Sequence, residues 1–533
     1  MPQSHGAADP GGVPLSTAGA AGPRRWPLPV PMLCVLAIGL GLRLLYVTAP
    51  LVDAHRWRQV DTAAIARAFY EDRFNPLRPE AIWGGPSAAV ESEFPLLPAL
   101  AALAYSALGP SETWGRLVVI AFSLGAIWFT YVLGRQLIGA PAGLAAAAVM
   151  AVSPASVFYG RAFMPDSLMV CFSLAALAGV IAHTRSGAAA PLAGASVALG
   201  LAILVKLPGV LVLAPVAACL WQARGLRALA DRRLWLALGV PLALAAAWYW
   251  HAYRIYLQTG LTFGVFGTTK TYPAHVAVTE WTTAFSKWSS PELLTSWAFY
   301  NTMLSRLYFL HLTPAVFALA LVGLVIWRGP GRVAADAWLA ALTAFILGAG
   351  MGHLGHDYYQ LPMVPVLALY FAAVAWPVFD PAWVSARVKG MGGQVAVWIA
   401  VAAIGALGFW HSGVIARHFR PEAPDVRILR AGEAIARAVG PRQVMVVVDD
   451  YGVNSPMLLY FAHAKGWSLD AATISAPVVR NLQAHGARYF AATRWSQLRR
   501  AQPDLLLYMQ TRRQLMLDGA PADTVLFDLA AAR

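Results

Sequence analysis

The amino-acid sequence predicts a mainly α-helical, polytopic membrane protein of about eleven spanning helices that ends in a small α/β domain. Three observations predict it. The chain of 533 residues is 58% hydrophobic and only 12% charged, about half the charged fraction of a soluble domain. Its apolar residues arrive in blocks of about 17–25, the length a helix needs to cross a hydrocarbon core. From about Pro421 the pattern changes to short strands alternating with helices.

The blocks fall at 28–49, 114–134, 141–159, 166–184, 191–206, 208–222, 234–256, 309–327, 334–351, 361–378 and 393–411. Each is hydrophobic nearly all round, which excludes an amphipathic surface helix. Residues 1–25, rich in Gly, Ala, Pro and Ser, are predicted to be disordered and cytoplasmic; the block that follows lacks a cleavage site and is predicted to stay as a span. With Arg24 and Arg25 inside, alternation puts Arg135, Arg185, Arg224, Arg227, Arg232, Arg233, Arg328, Arg332, Arg387 and Lys389 on the same side. Those loops are short and basic, as the positive-inside bias requires. The net charge of +14 therefore serves topology and implies no nucleic-acid partner. Arg43, Arg116 and Arg254 lie toward block ends, where long side chains snorkel. Cys34, Cys171 and Cys219 lie in apolar blocks and are predicted to pack as small hydrophobes, with no disulfide framework.

The opposite side receives the long segments: loops 50–113 and 257–308, within a transmembrane domain of residues 26–411, and the extracytoplasmic tail 412–533. In the first loop a helix is expected over 61–71, and a second, interfacial one over 93–108, opened by Pro95. In the tail, strands are expected at 444–449 (VMVVVD), 488–492 and 524–528, with a helix at 455–464. No Gly-rich phosphate fingerprint accompanies them, which favours docking over catalysis there.

The chemistry-bearing residues gather on that outer side. Loop one opens with Asp53, His55, Arg56, Trp57, Arg58, Gln59 and Asp61. These are either a solvated interfacial loop or a site for an anionic lipid head group; with a helix starting at Asp61, Arg58 would stand just before its N-terminus, facing a phosphate together with the helix amides. Glu91 and Glu93 precede Pro95 and suit helix capping, a divalent cation, or orientation of an acceptor. Arg161 and Asp166 bracket a short connector, as an ion pair or an extension of the head-group site. Lys206 ends a span with no basic neighbour, which suits snorkelling or a phosphate contact. His353 and the run His356, Asp357, Tyr358, Tyr359, Gln360 offer a metal ligand with its partner, an oriented general acid, or interfacial decoration. Trp281, Trp288, Trp297 and Tyr300 suit stacking on a sugar or an aromatic belt. A transporter would place such groups near the midplane, within repeated broken helices, and no such repeat is visible.

In order along residues 28–411, HRWRQVDTAAIARAFYED, ESEFPLLPAL, YGRAFMPDSLMV, LVKLPG and HDYYQLPMVPVLAL resemble segments of the GT-C glycosyltransferases related to protein O-mannosyltransferases and to the lipid A aminoarabinose transferase. The resemblance implies a GT-C-like fold in a bacterial plasma membrane. It also implies a polyprenyl-phosphate-linked sugar as donor and an extracytoplasmic glycan, lipid or protein as acceptor, with inversion at the anomeric carbon. By motif match Asp61 is the first candidate for the acceptor-activating base, with Asp53 and Glu93 in contention because the alignment is shifted. His55, Arg58, Arg161, Asp166, Lys206, His356 and Tyr359 are the candidates for donor-phosphate and substrate binding. No resident cofactor is implied; a divalent metal held by Glu91, Glu93 or His356 stays open. The alternatives are a polysaccharide ligase using a lipid-diphosphate glycan, and a transporter of a lipid-linked precursor.

Overall fold

The computed structural model describes residues 30–266, 269–270, 283–284 and 287–532; the predicted N-terminal segment 1–25 and Trp281 lie outside them. The first helices are α1 Val30–Arg43, α2 Arg56–Glu71, α3 Leu96–Leu108, α4 Glu112–Leu137, α5 Ala140–Val152, α6 Pro154–Tyr159, α7 Asp166–Ser186, α8 Ala189–Val205, α9 Leu213–Arg224 and α10 Arg232–Thr259. After short strand pairs and α11 Pro291–Leu294 come α12 Trp297–Ser305, α13 Pro314–Ile326, α14 Arg332–Gly348, α15 Gly350–Gly355, α16 Met363–Ala375, α17 Pro381–Arg387 and α18 Met391–His411. Among the described residues, 5 helices are long and apolar enough to cross a membrane, or up to 7 if each of two bent pairs counts as one span. The sharper bend, 112°, joins Trp297–His311 to Pro314–Ile326, where Pro314 cannot continue the preceding helix. Shorter apolar helices, α1, α3, α5 and α8 among them, pack between the long ones. The chain is a multi-pass membrane protein, and each predicted block contains a helix.

α7 lies deep in the bundle, whereas α18 is almost wholly exposed, presenting Val395, Ile399, Ile404 and Leu407 outward; apolar residues facing outward are what lipid requires. α13 and α16 approach so closely that a Cβ on Gly323 would stand 1.9 Å from the Tyr370 carbonyl oxygen. Two predicted snorkelling arginines do not snorkel. Arg43 is fully buried and bonds Ser123 Oγ at 2.6 Å, Ser156 Oγ at 2.8 Å and the Ala151 carbonyl at 3.0 Å, satisfying the α5–α6 break. Arg116 is buried as well and donates to the Ala49 carbonyl at 2.5 Å. Freed carbonyls at helix breaks are costly in lipid, and each guanidinium repays several at once. Arg254 is exposed, as expected. Cys171 and Cys219 are buried free thiols, but Cys34 is exposed on the outer surface of α1.

The tail forms α19 Ala423–Val439 and a sheet. Numbered along the whole chain, the strands are β1 Glu80–Ala81, β2 Gly84–Gly85, β3 Ala88–Ala89, β4 Thr269–Lys270, β5 Thr283–Ala284, β6 Val444–Val448, β7 Lys465–Leu469, β8 Tyr489–Ala492, β9 Arg512–Leu515 and β10 Val525–Ala532. The six-stranded sheet has the order β2-β7-β6-β8-β10-β9, with β6 parallel to β7 and β8. An unbroken Val/Met run suits β6, a central strand covered on both faces. The edge strand β2 comes from the first loop and pairs antiparallel with β7. Gly85, at φ +122°, lies against the Trp467 ring, where a Cβ would be strained as well as tight. Ion pairs add to the seam: His463–Glu71 at 2.7 Å and Lys465–Asp72 at 2.5 Å. The expected tail sheet is present, extended by β7, β9 and the borrowed β2.

Candidate active site

α2 starts at Arg56, not at Asp61, because His55 takes the left-handed conformation (φ 54°) that turns the chain into the helix. Arg58 therefore projects from the first turn rather than ahead of the helix, and Asp61 lies in its second turn. Asp61 is buried and accepts a hydrogen bond from Trp83 Nε1 at 3.0 Å.

Around this helix start the polar side chains form three knots. In the first, Asp53 accepts from Gln59 Nε2 at 2.5 Å on one oxygen, and from Arg161 and Arg116 on the other. Gln59 Oε1 also accepts from the Phe163 amide at 3.0 Å, so one glutamine ties the first loop to the connector after α6. All four side chains are buried.

The second knot joins Arg58 to Glu93 at 2.7 Å and Lys206 to Asp166 at 2.5 Å. The Lys206 ammonium lies 4.5 Å from the Tyr358 ring centroid and 5.1 Å from that of Tyr359. Arg58 lies over Phe263. Asp166 begins α7 and keeps its second oxygen buried without a hydrogen-bond partner among the described residues. Lys287 shares the electrostatic field of Glu93, Lys206 and Arg58 and donates to the Gly264 carbonyl. Burial alone would raise the Glu93 carboxyl; Arg58 and Lys206 outweigh it and hold the group below its usual range. Burial pulls the Lys287 ammonium down, reinforced by the neighbouring cations although Glu93 opposes it.

The third knot centres on Asp357. His55 Nε2 bonds Oδ1 at 2.7 Å, the Tyr159 hydroxyl donates to the same oxygen, and His418 Nε2 bonds Oδ2 at 3.1 Å. His311 Nε2 meets the Asp357 carbonyl at 3.0 Å. Burial opposes the Asp357 charge, yet its histidine partners hold the carboxyl well below the ordinary value. Next to it, burial and the surrounding cations push His356 down to about 3, so that it is neutral. His353 is buried with both ring nitrogens unpartnered and is also pushed down to about 3, chiefly by burial.

The structure thus brings Asp53, His55, Arg58, Glu93, Arg161, Asp166, Lys206, His356 and Tyr359 to one face of the bundle. Glu91 goes elsewhere: its carboxylate accepts from the Thr262 hydroxyl and from the Val265 and Phe266 amides at 3.3 and 2.6 Å. It anchors the 262–266 turn, and neither it nor Glu93 caps α3, which has no side-chain cap. Among the described residues no group of three or more His, Cys, Asp or Glu is arranged to hold a metal ion. Lys287, Tyr159, His311 and His418 were not singled out in the sequence. His418 alone carried a signal, a histidine just beyond the last apolar block.

The family model described as dolichyl-phosphate-mannose-protein mannosyltransferase matches residues 92–251, the stretch holding Glu93, Arg161, Asp166 and Lys206. No curated protein sequence matches. Among solved structures, ArnT from Cupriavidus metallidurans in the apo state is similar over 93% of this chain and 97% of its own, with TM-score 0.61 and 15% identity. The same protein bound to undecaprenyl phosphate matches with TM-score 0.60 and 14% identity over the same shares. The Archaeoglobus fulgidus oligosaccharyltransferase in the apo form is 13% identical, with TM-score 0.56 over 93% of this chain and 75% of that one.

The fold is that of the GT-C glycosyltransferases. The first loop and the connectors after α6 and α15 carry residues of the three knots, and the first loop is tied to the C-terminal region by the β2–β7 pairing and by Arg56–Asp425 at 2.6 Å.

Proposed function

We propose that this GT-C protein is a glycosyltransferase that moves a sugar from a polyprenyl-phosphate donor to an acceptor outside the cytoplasm, with inversion. The observation that carries the reading is the second knot. Arg58, Lys206 and Lys287 come from three distant segments onto one site, where Glu93 and Asp166 are their direct ion-pair partners among the described residues and Asp61 and Glu91 lie in their field. A leaving polyprenyl phosphate gains negative charge as the glycosidic bond breaks, and preorganised cations stabilise that charge best where water is excluded. The unpartnered Asp166 oxygen gives the same site an acceptor for a sugar or acceptor hydroxyl. Proteins of similar fold support the reading: a Cupriavidus metallidurans ArnT structure holds undecaprenyl phosphate, and an Archaeoglobus fulgidus oligosaccharyltransferase structure holds dolichol phosphate with an inhibitory peptide.

In this proposal residues 26–411 carry the reaction in a bacterial plasma membrane, with the polar face and residues 412–533 outside. Trp288 and Trp297, both strongly exposed, and Tyr300 are available to stack on a sugar. The test uses the full chain in lipid nanodiscs, with undecaprenyl phosphate and undecaprenol as paired ligands. Undecaprenyl phosphate is expected to bind more than about 10-fold tighter, and Lys206→Ala to erase the difference. Equal affinity for the two lipids overturns the proposal. Release of undecaprenyl phosphate from mannose-, glucose- and aminoarabinose-linked donors, read by mass spectrometry, then reports turnover. A diphosphate-linked glycan consumed in preference to all three would favour the ligase.

A further inference from the structure

The carboxylates on the polar face each already meet at least one donor. Both oxygens of Asp53 are engaged, one by Gln59 and the other by two guanidiniums. Glu93 is bonded to Arg58, Asp166 to Lys206, and Asp61 to the Trp83 indole. A carboxylate bound to a fixed cation loses basicity, and general-base efficiency falls with it.

One group on this face has the opposite arrangement. His55 bonds Asp357 through Nε2 at 2.7 Å, and Nδ1 makes no hydrogen bond with the described residues. Its side chain is 21% exposed, so the ring is only partly withdrawn from solvent. With Asp357 ionised, Nε2 carries the proton and the lone pair resides on Nδ1, the tautomer logic of a carboxylate–histidine pair. The ring is braced edge-on by Tyr358 at 4.9 Å and flanked by Tyr159 at 5.8 Å, centroid to centroid. The left-handed backbone at His55 costs energy for a residue with a Cβ, and the same residue carries the Asp357 bond. The groups facing His55 are Asp357, Tyr159 and Tyr358, with His356 in its electrostatic field and His418 across the Asp357 carboxylate.

We propose, resting on the transferase reading above, that His55 is the base for the acceptor hydroxyl and that Asp357 is its positioning residue. The acceptor O–H proton passes to His55 Nδ1, and the acceptor oxygen forms its bond to the anomeric carbon. The bond from that carbon to the phosphate oxygen breaks with its electron pair, and polyprenyl phosphate leaves against Arg58 and Lys206. Asp357 stabilises the imidazolium so formed, with Tyr159 and His418 keeping the carboxylate in place.

Two readouts test this on the full chain in nanodiscs. Carbethoxylation of His55 by diethyl pyrocarbonate, followed by peptide mass spectrometry from pH 5 to 8, reports its titration without any donor. Asp357→Asn is expected to move the His55 midpoint down by about one pH unit, because the charge that favours the imidazolium is removed. With whichever undecaprenyl-phosphate sugar the protein turns over, His55→Gln is expected to lower kcat by about 100-fold or more, leaving the donor KM within about twofold. Asp357→Asn is expected to shift the acid limb of the kcat/KM profile by the same amount as the His55 midpoint. His55→Gln within about threefold of wild-type kcat, or an unmoved His55 midpoint in Asp357→Asn, overturns the pairing. A wild type that turns over no donor overturns the transferase reading instead, while the midpoint still reports the pair.

Discussion

Asp53 and Asp357 are both buried carboxylates on the polar face, and each collects partners from distant segments, yet they are held in different ways. Asp53 is clamped by Arg116 and Arg161, cations that stay charged at any physiological pH. Asp357 is clamped by two imidazoles, His55 and His418, and by the Tyr159 hydroxyl, none of them a permanent cation. The first arrangement fixes geometry and answers little to pH. The second holds a carboxylate in place without a fixed cation, through imidazole and hydroxyl partners.

Breaking the clamps separates them. The largest effect is expected from Arg161→Ala, which leaves Asp53 with the neutral Gln59 amide and one long contact to Arg116. Loss of one partner of a buried pair costs about 3–5 kcal/mol, to be read as a fall in melting temperature that is the same at pH 6 and pH 8. Asp357→Ala is expected to cost about 2–3 kcal/mol at pH 7, since several buried hydrogen bonds lose their acceptor. Its carboxyl is held below the usual range. The stability it contributes is therefore complete above the unfolded value of about 3.9 and lost only as pH falls through the lower folded one. Asp357's own titration thus leaves the gap to wild type constant from pH 8 to 5; a gap closing above pH 5 would refute the depressed carboxyl.

His353 sharpens the contrast from the other side. Burial holds it neutral, near 3 against about 6.5 unfolded, so the unfolded chain binds the extra proton and stability declines as pH drops below 6.5. His353→Leu is expected to remove up to about 2 kcal/mol of the loss between pH 7 and 5, visible as a flatter melting-temperature profile. The smallest effect is expected at the seam, where Lys465→Ala removes partly exposed pairs with Asp72 and Glu80. That change should cost no more than about 1 kcal/mol and less in high salt.

The helical architecture was legible because lipid imposes one rule on every span, and an apolar block of sufficient length satisfies it whatever its neighbours are. The outer face was legible as a set of residues but not as a set of partners. His55 and Asp357 are separated by 302 positions, and nothing local to either one announces the other. The helix start was misplaced for a related reason: His55 is a poor signal for a helix boundary, and its left-handed turn is imposed by a tertiary bond. Arg43 and Arg116 were read as snorkelling because sequence position shows distance from a block end but not the broken helices that need their donors. Glu91 was read as a cap or ligand because the turn it anchors, 262–266, comes from the far side of the chain.

The short strand β2 sets an order on how the protein is made. Gly84–Gly85 emerges early in synthesis, whereas the β7 edge it pairs with arrives near the end; the neighbouring contact between Glu71 and His463 already spans 392 positions. The first loop, which carries His55, Arg58 and Glu93, therefore waits for its closing edge until nearly the whole chain has been threaded through the bilayer. A chain released before β7 is made carries an unfinished first loop, so synthesis through that strand gates assembly of the site.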